Sequence, residues 1–578
     1  MIRSPLIFAF LGLASLHIAA GQGYSEQYSR EDGPEINLKK CSSKGSCKIE
    51  KKKLTIDSNW RWVHVQGDYK NCYKGNQWID EYCPGDDGEN CARRCVLEGV
   101  DSNGYKGTYG VEGVQNGKGV KMKFVNKHKY GVSVGSRLYM YENDKYEMFK
   151  VMNREFAFTA DMSQLECGMN GAVYFIEMQE NGGKGIGANQ AGAKFGTGYC
   201  DAQCPHDIKF IDGEANIKGW KPNPKDKSGN MGTGHYGACC NEMDIWEANA
   251  RSNAYTPHPC QLSGKKTMPG LYRCEGTECG DNDKNERYKG VCDKDGCDFA
   301  SWRHSGKESM FYGKGSQFKV DTSKVFTQVT QFITDDGTDN GDLAEIRRYW
   351  VQDGKVIMNV VASHLNGTYK DMDFKCKGYG SSITDQFCES MNQRFGDYNH
   401  FKIHGGLKEM GESLKRGHVL AISLWDDVDV SMMWLDSWFP RLADKRYEPG
   451  IERGPCEGGK ASEPTTVRAK HPDATVTYTD FAVGCLGCTT DGVPKGPPAR
   501  KDDKGKEFVD KCPKGSGGGA GGSPGPSPKT RRRRRRSSSR RRRGTSPKTR
   551  RRRRRSSSRR RRGSSTRRRS SSTRRRSR

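Results

Sequence analysis

Apolar residues along this chain fall in short runs of β period. Residues 121–125, 136–141, 172–177, 328–333, 418–425 and 475–478 are rich in Val, Ile, Leu, Phe, Tyr and Met. Several of these runs alternate apolar with polar side chains, the mark of a strand with one buried face. Turn residues separate the runs, and long stretches of 3.6-residue period are scarce. The pattern predicts an all-β protein, an antiparallel sandwich whose long loops hang from a two-sheet core.

The two ends break the pattern. Arg3, the mostly apolar residues 6–20 and the small residues Ala19-Ala20-Gly21 read as a signal peptide over 1–21. A retained N-terminal anchor is the alternative, but the apolar run is short for a membrane span and no later segment comes close to one. The formal net charge of +28 is set by the other end, where residues 528–578 hold 27 Arg and two Lys with no acid. The rest of the chain is near neutral, so charge speaks only for partners of the tail. An ordered domain is expected over 22–485. Residues 486–512, with Cys488 and Cys512 among charged residues, form an extension or the start of a linker. Residues 513–528 are a Gly/Ser/Pro linker. The tail at 529–578 is repetitive: Ser-Pro-Lys-Thr, six Arg, three Ser, four Arg and a Gly fill 527–544 and again 546–563. It has no apolar surface to bury and is expected to stay disordered until it meets a polyanion.

Twenty-two cysteines behind a signal peptide imply disulfides. Cys200-x3-Cys204 with Cys239-Cys240 is also open to a metal reading. Spacing alone does not give the pairing.

The candidate chemistry lies in Glu242-Met-Asp244-Ile-Trp-Glu247, three acids in six residues. Strand alternation puts Glu242 and Asp244 on one face and sends Glu247 to the other. Retaining glycosidases need two carboxyls about 5–5.5 Å apart, whereas five residues of straight strand separate their ends by about 17 Å. Catalysis by Glu242 and Glu247 therefore demands a bend or a bulge between them. In that case one end acid attacks the anomeric carbon, the other protonates the leaving oxygen and then activates water, and the middle acid orients Glu242. The bland alternative is a solvated acidic strand face.

This segment resembles the E-x-D-x-x-E signature of glycoside hydrolase family 7, the cellobiohydrolases and endoglucanases. The resemblance extends from about Gln22 to Gly484. It is carried by Asp57-Ser-Asn-Trp-Arg-Trp62, Leu165-Glu-Cys-Gly-Met-Asn-Gly-Ala-Val-Tyr174, Gly196-Thr-Gly-Tyr-Cys-Asp-Ala-Gln-Cys-Pro205, Thr256-Pro-His-Pro-Cys260, Ser423-Leu-Trp-Asp-Asp427 and Met433-Trp-Leu-Asp-Ser437, among others. It implies a jelly-roll sandwich of the legume-lectin kind with a long channel for cellulose or another β-1,4-glucan. It implies Glu242 as nucleophile, Glu247 as acid/base, Asp244 as the assisting acid and His258 as the histidine beside the acid/base. Trp62 would stand at the channel entrance, Trp60 further in, Trp425 just before the cleavage point and Trp434 just after it, since flat aromatic rings suit the apolar faces of glucose. Tyr174, Tyr199, Asp201 and Gln203 resemble residues around the catalytic centre. Arg287, Asp295, Asp298, Arg303 and Arg453 resemble product-side or channel hydrogen-bonding residues. No metal or cofactor is required.

Loop lengths bear on the mode of attack. Residues 216–237 and 274–292 are long, and 358–388 is longer than expected, with an extra Cys376 and a sequon at Asn366. Covered channels favour processive release of cellobiose, so the resemblance favours a cellobiohydrolase over an endoglucanase with an open cleft or a non-catalytic carbohydrate-binding protein. Residues 280–286 lack the tyrosine usual at that loop's tip. The resemblance also implies nine disulfides: Cys41–Cys47, Cys72–Cys95, Cys83–Cys91, Cys167–Cys456, Cys200–Cys240, Cys204–Cys239, Cys260–Cys292, Cys274–Cys279 and Cys297–Cys388. It leaves Cys376, Cys485, Cys488 and Cys512 unassigned. The tail has neither aromatic nor cysteine, so it is not a cellulose-binding module. Its arginines suit acidic polysaccharide or another polyanion. Nucleic acid is the poorer fit behind a signal peptide.

Overall fold

The computed structural model describes residues 22–227, 229–262, 270–281, 286–305, 310–362, 380–441 and 446–495. The expected signal peptide, the Asn366 sequon, Cys376, Cys512, the linker and the tail lie outside these residues, as does part of the 280–286 loop. Among the described residues, no helix is long and apolar enough to cross a membrane.

Strands dominate, and the apolar runs sit in them. The strands that frame the site are β1 Glu35–Ser43, β2 Ser46–Ile56, β3 Gly119–Lys123, β4 Ser136–Glu142, β5 Arg154–Asp161, β6 Met169–Ile176, β7 Glu242–Ala248, β8 Asn253–His258, β9 Phe326–Thr334, β10 Leu343–Gln352, β11 His418–Asp426 and β12 Thr475–Cys485. They pair in two layers. One sheet runs β2-β4-β11-β6-β7-β8, every neighbour antiparallel. The other runs β3-β12-β5-β9-β10, also antiparallel. β1 joins the layers, pairing antiparallel with β2 and parallel with β12. This is the expected sandwich.

The inner faces of the two sheets fill one apolar core. Met243, Ile245 and Trp246 of β7 and Val173 and Phe175 of β6 meet Phe326 and Phe332 of β9 and Trp350 of β10. Trp246 lies edge-on to Trp350 at 5.4 Å between ring centroids and tilted against Phe326 at 5.7 Å. Each such large side chain taken from water contributes about 1.5–3 kcal/mol. The opposite face of the first sheet is not covered by the second, and it carries the site.

Two 11-residue helices were not evident from the sequence pattern: α1 Asp385–Phe395 and α2 Gly406–Arg416. Thr384 caps α1 by accepting from Phe387 N–H. α2 buries Leu407, Met410 and Leu414 on one stripe and packs on β10. Three turns give too few apolar repeats to stand out in a chain of short β runs.

All nine disulfides implied by the resemblance are formed. Cys200, Cys204, Cys239 and Cys240, the set open to a metal reading, are paired with one another. Cys485 bonds Cys488. Residues beyond 485 continue the body at first: Thr489 donates its N–H and Oγ1–H to the buried Glu155 carboxylate, each at 2.7 Å, and Val493 packs against Ala157, Val329 and Tyr349.

Candidate active site

The acid segment forms β7, flanked by β6 and β8. On the β8 side, Glu242 faces His258 and Asp244 faces Thr256, then the register shifts and Glu247 faces Ala254. On the β6 side, Met243 faces Phe175 and Trp246 faces Val173. Both neighbours advance two residues where β7 advances three, so β7 carries one extra residue, a β-bulge. The bulge falls at Ile245 and Trp246, two consecutive residues that both enter the core. Alternation restarts with its phase reversed. Glu242, Asp244 and Glu247 thereby share the outer face of the sheet, the geometry that catalysis demanded of the sequence.

A bulge leaves ladder groups without partners. Here the buried Arg348 guanidinium of β10 takes them up. It donates to the carbonyls of Ile245 and Ala254 and, at 3.1 Å, to Asn253 Oδ1. Arg348 lies among the rings of Trp246, Tyr255 and Trp350.

The three carboxyls are nearly closed from solvent, with exposures of 7%, 6% and 8% for Glu242, Asp244 and Glu247. Each has a distinct partner. Glu242 Oε2 accepts from Ala202 N–H at 3.0 Å. Asp244 Oδ2 lies 3.1 Å from His258 Nε2. Glu247 Oε1 accepts from Asn170 Nδ2 at 3.0 Å, while Asn170 Oδ1 accepts from Ala248 N–H at 3.0 Å.

The two end acids share one electrostatic setting. Burial first, then the charge of Asp244, raises both Glu242 and Glu247 well above the usual carboxylate range. Burial disfavours a charged His258, but the hydrogen bond and charge of Asp244 outweigh it and hold the imidazole at about 9. Its other nitrogen, Nδ1, is 2.8 Å from the Asp293 carbonyl. Two acceptors, one at each ring nitrogen, suit the doubly protonated ring. The cation in turn favours an ionised Glu247.

Tyr174, Tyr199, Asp201 and Gln203 adjoin these acids. Tyr199 donates to Asp201 Oδ2 at 2.5 Å, and its hydroxyl is 3.2 Å from that of Tyr174. Asp201 Oδ1 accepts from Gln203 N–H at 2.8 Å. Arg287 and Asp295 pair at 2.8 Å. Arg303 and Arg453 converge on Asp298 at 2.6 and 3.1 Å. This second group links to the centre through Asp293, whose Oδ1 accepts from Gly296 N–H and whose carbonyl meets His258.

The four candidate platform tryptophans are all half-buried, unlike the fully buried Trp246 and Trp350. Trp425 and Trp434 stack at 6.3 Å between ring centroids. Trp60 lies under the Arg137 guanidinium at 5.3 Å. Trp62 stands apart from the acids, in a cluster with Tyr28, His64 and Tyr69.

Reading the sequence missed Asn170, Arg137 and Arg348. Asn170 sits within one of the resembling stretches and so carried a signal. Arg137, stacked 3.1 Å over Tyr199 and paired with Asp57 at 3.0 Å, and Arg348, bonded to the carbonyls of Ile245 and Ala254, carried none, because these partners lie far away in sequence.

Comparison with known proteins agrees with this geometry. Residues 25–490 match the sequence profile of glycosyl hydrolase family 7. The fold is similar to a GH7 family cellobiohydrolase from Daphnia pulex, with 42% identity and a TM-score of 0.74 over 81% of this chain and 100% of that one. It is similar to a cellobiohydrolase from Melanocarpus albomyces solved with cellotetraose, at 38% and 0.70 over 81% and 100%. It is also similar to the Humicola insolens endocellulase EGI, at 34% and 0.63 over 81% and 100%. The chain belongs to glycosyl hydrolase family 7.

Proposed function

We propose that this protein is a secreted cellobiohydrolase that cuts β-1,4-glucosidic bonds of cellulose with retention of configuration and releases cellobiose processively from chain ends. The bulge in β7 carries the reading, because it turns Glu247 onto the face of Glu242 and Asp244. Glu242 attacks the anomeric carbon to give a glycosyl-enzyme. Glu247 protonates the departing glycosidic oxygen, then takes a proton from the water that releases the sugar. Burial and the charge of Asp244 let Glu242 and Glu247 retain a proton into a range where ordinary carboxylates are ionised. The acid/base role requires that proton on Glu247, and Asp244, paired with His258, stays beside Glu242 to orient it. Trp60, Trp62, Trp425 and Trp434 are platforms for glucose rings. Arg287, Asp295, Asp298, Arg303 and Arg453 hold the hydroxyls of channel and product sugars.

The higher similarity to the two cellobiohydrolases than to the endocellulase favours attack at chain ends. The Arg/Ser tail is proposed to hold the secreted enzyme to acidic polysaccharide or another polyanion. A time course on crystalline cellulose tests the reading. Soluble cellobiose is expected to exceed new insoluble reducing ends, and Glu242→Gln is expected to abolish turnover while leaving cello-oligosaccharide binding intact. Unchanged hydrolysis by Glu242→Gln rules out the nucleophile, and mainly internal cuts by the wild type rule out the cellobiohydrolase.

A further inference from the structure

A hairpin with strands Lys221–Pro222 and Gly232–Thr233 leaves the body just before the catalytic strand. Its return limb leads into Gly237–Cys239, bridged through Cys239 to Cys204 and through Cys240 to Cys200, immediately ahead of Glu242. The root is therefore fixed at the Glu242 end of β7. The tip is fixed elsewhere. Lys225 Nζ lies 2.8 Å from Asp429 Oδ1. Asp226, almost wholly buried, lies 3.5 Å from Arg468 Nη1. Arg468 also grips Asp426 with two bonds of 2.6 and 2.7 Å. Asp226 holds the tip in shape by accepting from Asn230 and Met231 N–H.

Strand register locates these anchors. Ile176 of β6 faces Glu242 on one side and Val419 of β11 on the other, whereas Met169 faces Asp426. Val419 to Asp426 is seven residues of strand, about 24 Å. The hairpin thus starts at one end of the acid-bearing strands and is pinned beyond the other. The second sheet covers the core face, so the acid-bearing face is the side left for it to cross. Asp427 continues the anchorage towards the site: it accepts from Asp429, Val430 and Met432 N–H and from Trp434 Nε1.

We infer that Lys225–Asp429 and Asp226–Arg468 form an ionic latch that straps the glucan chain into the groove and sets the ratio of processive to internal cutting. The inference rests on the cellobiohydrolase reading. Lys225 and Asp429 are more than half exposed, and exposed pairs shift an equilibrium by up to about five-fold. The buried Asp226 adds to that hold, because an acid left in place without its cation is poorly solvated.

Charge exchange tests the latch. Lys225→Asp and Asp429→Lys are each expected to lower the ratio of soluble to insoluble reducing ends from crystalline cellulose by about two- to five-fold. The double variant, with the charges swapped, is expected to recover most of the loss. Asp226→Asn, which can still accept from Asn230 and Met231, is expected to fall with the single variants. Turnover of a short soluble β-cellobioside should stay unchanged in all four. Single variants with the wild-type ratio, or a loss that the swap does not recover, overturn the latch. A wild type that itself cuts internally overturns the cellobiohydrolase reading instead.

Discussion

At the scale of single residues, the site is a set of carboxyls sorted by their neighbours. Glu242 has a backbone N–H, Asp244 has His258 and Glu247 has the Asn170 amide. The last contact is the most informative, since Asn170 favours the ionised form of Glu247. Asn170→Ala removes that bias, so the Glu247 pKa rises further. If Glu247 acts as the general acid, the alkaline limb of the kcat/KM profile moves to higher pH. A hydrogen bond to a charged group is worth about 1.5–3 kcal/mol, so kcat is expected to drop by about ten- to a hundredfold. A pH–rate series on a short soluble substrate measures both, and a limb that stays in place or moves to lower pH contradicts the assignment.

At the scale of elements, the bulge decides. Without the bulge the same seven residues would turn Trp246 towards the site and bury Glu247 between the sheets. Deletion of Ile245 restores regular alternation. The shortened strand still turns Glu242, Asp244 and Glu247 to the outer face, and the loss of the buried Ile245 side chain is expected to destabilise the protein by about 2–5 kcal/mol and to lower turnover rather than abolish it. Ile245→Val keeps the residue count and should cost only about 0.5–1.5 kcal/mol with the activity retained. Denaturant unfolding and initial rates on the two variants make the comparison. Arg348 shows why the bulge is tolerated: its guanidinium occupies the carbonyls that the missing ladder bonds set free.

At the scale of the whole molecule, a near-neutral body precedes a strongly basic segment of very different composition. The two are expected to act separately. Truncation after Cys512 should remove salt-sensitive binding to an acidic polysaccharide and leave hydrolysis of short soluble substrates unchanged. Arginine contacts to fixed anions weaken as salt screens them, so retention on an anionic column across a salt gradient is the direct measurement. Binding that survives truncation places the polyanion site on the body.

Much of this protein was legible in the chain alone. Short β-prone runs at 136–141, 172–177 and 418–425 became β4, β6 and β11, because β-branched, aromatic and other apolar residues bounded by turn residues report a strand whatever lies far away in sequence. The spacing of Glu242, Asp244 and Glu247 even stated its own condition, an extra residue between the acids. Whether that condition was met could not be read there, since a bulge exists only as a mismatch with two neighbouring strands. The partners that complete the site, Asn170, Arg137, Arg348 and the Asp293 carbonyl, arrive from other strands and loops across long sequence separations. The latch likewise joins Lys225 to Asp429, which are 204 positions apart. Local chemistry fixed which residues were able to act; only the packing of distant strands decided which of them face one another.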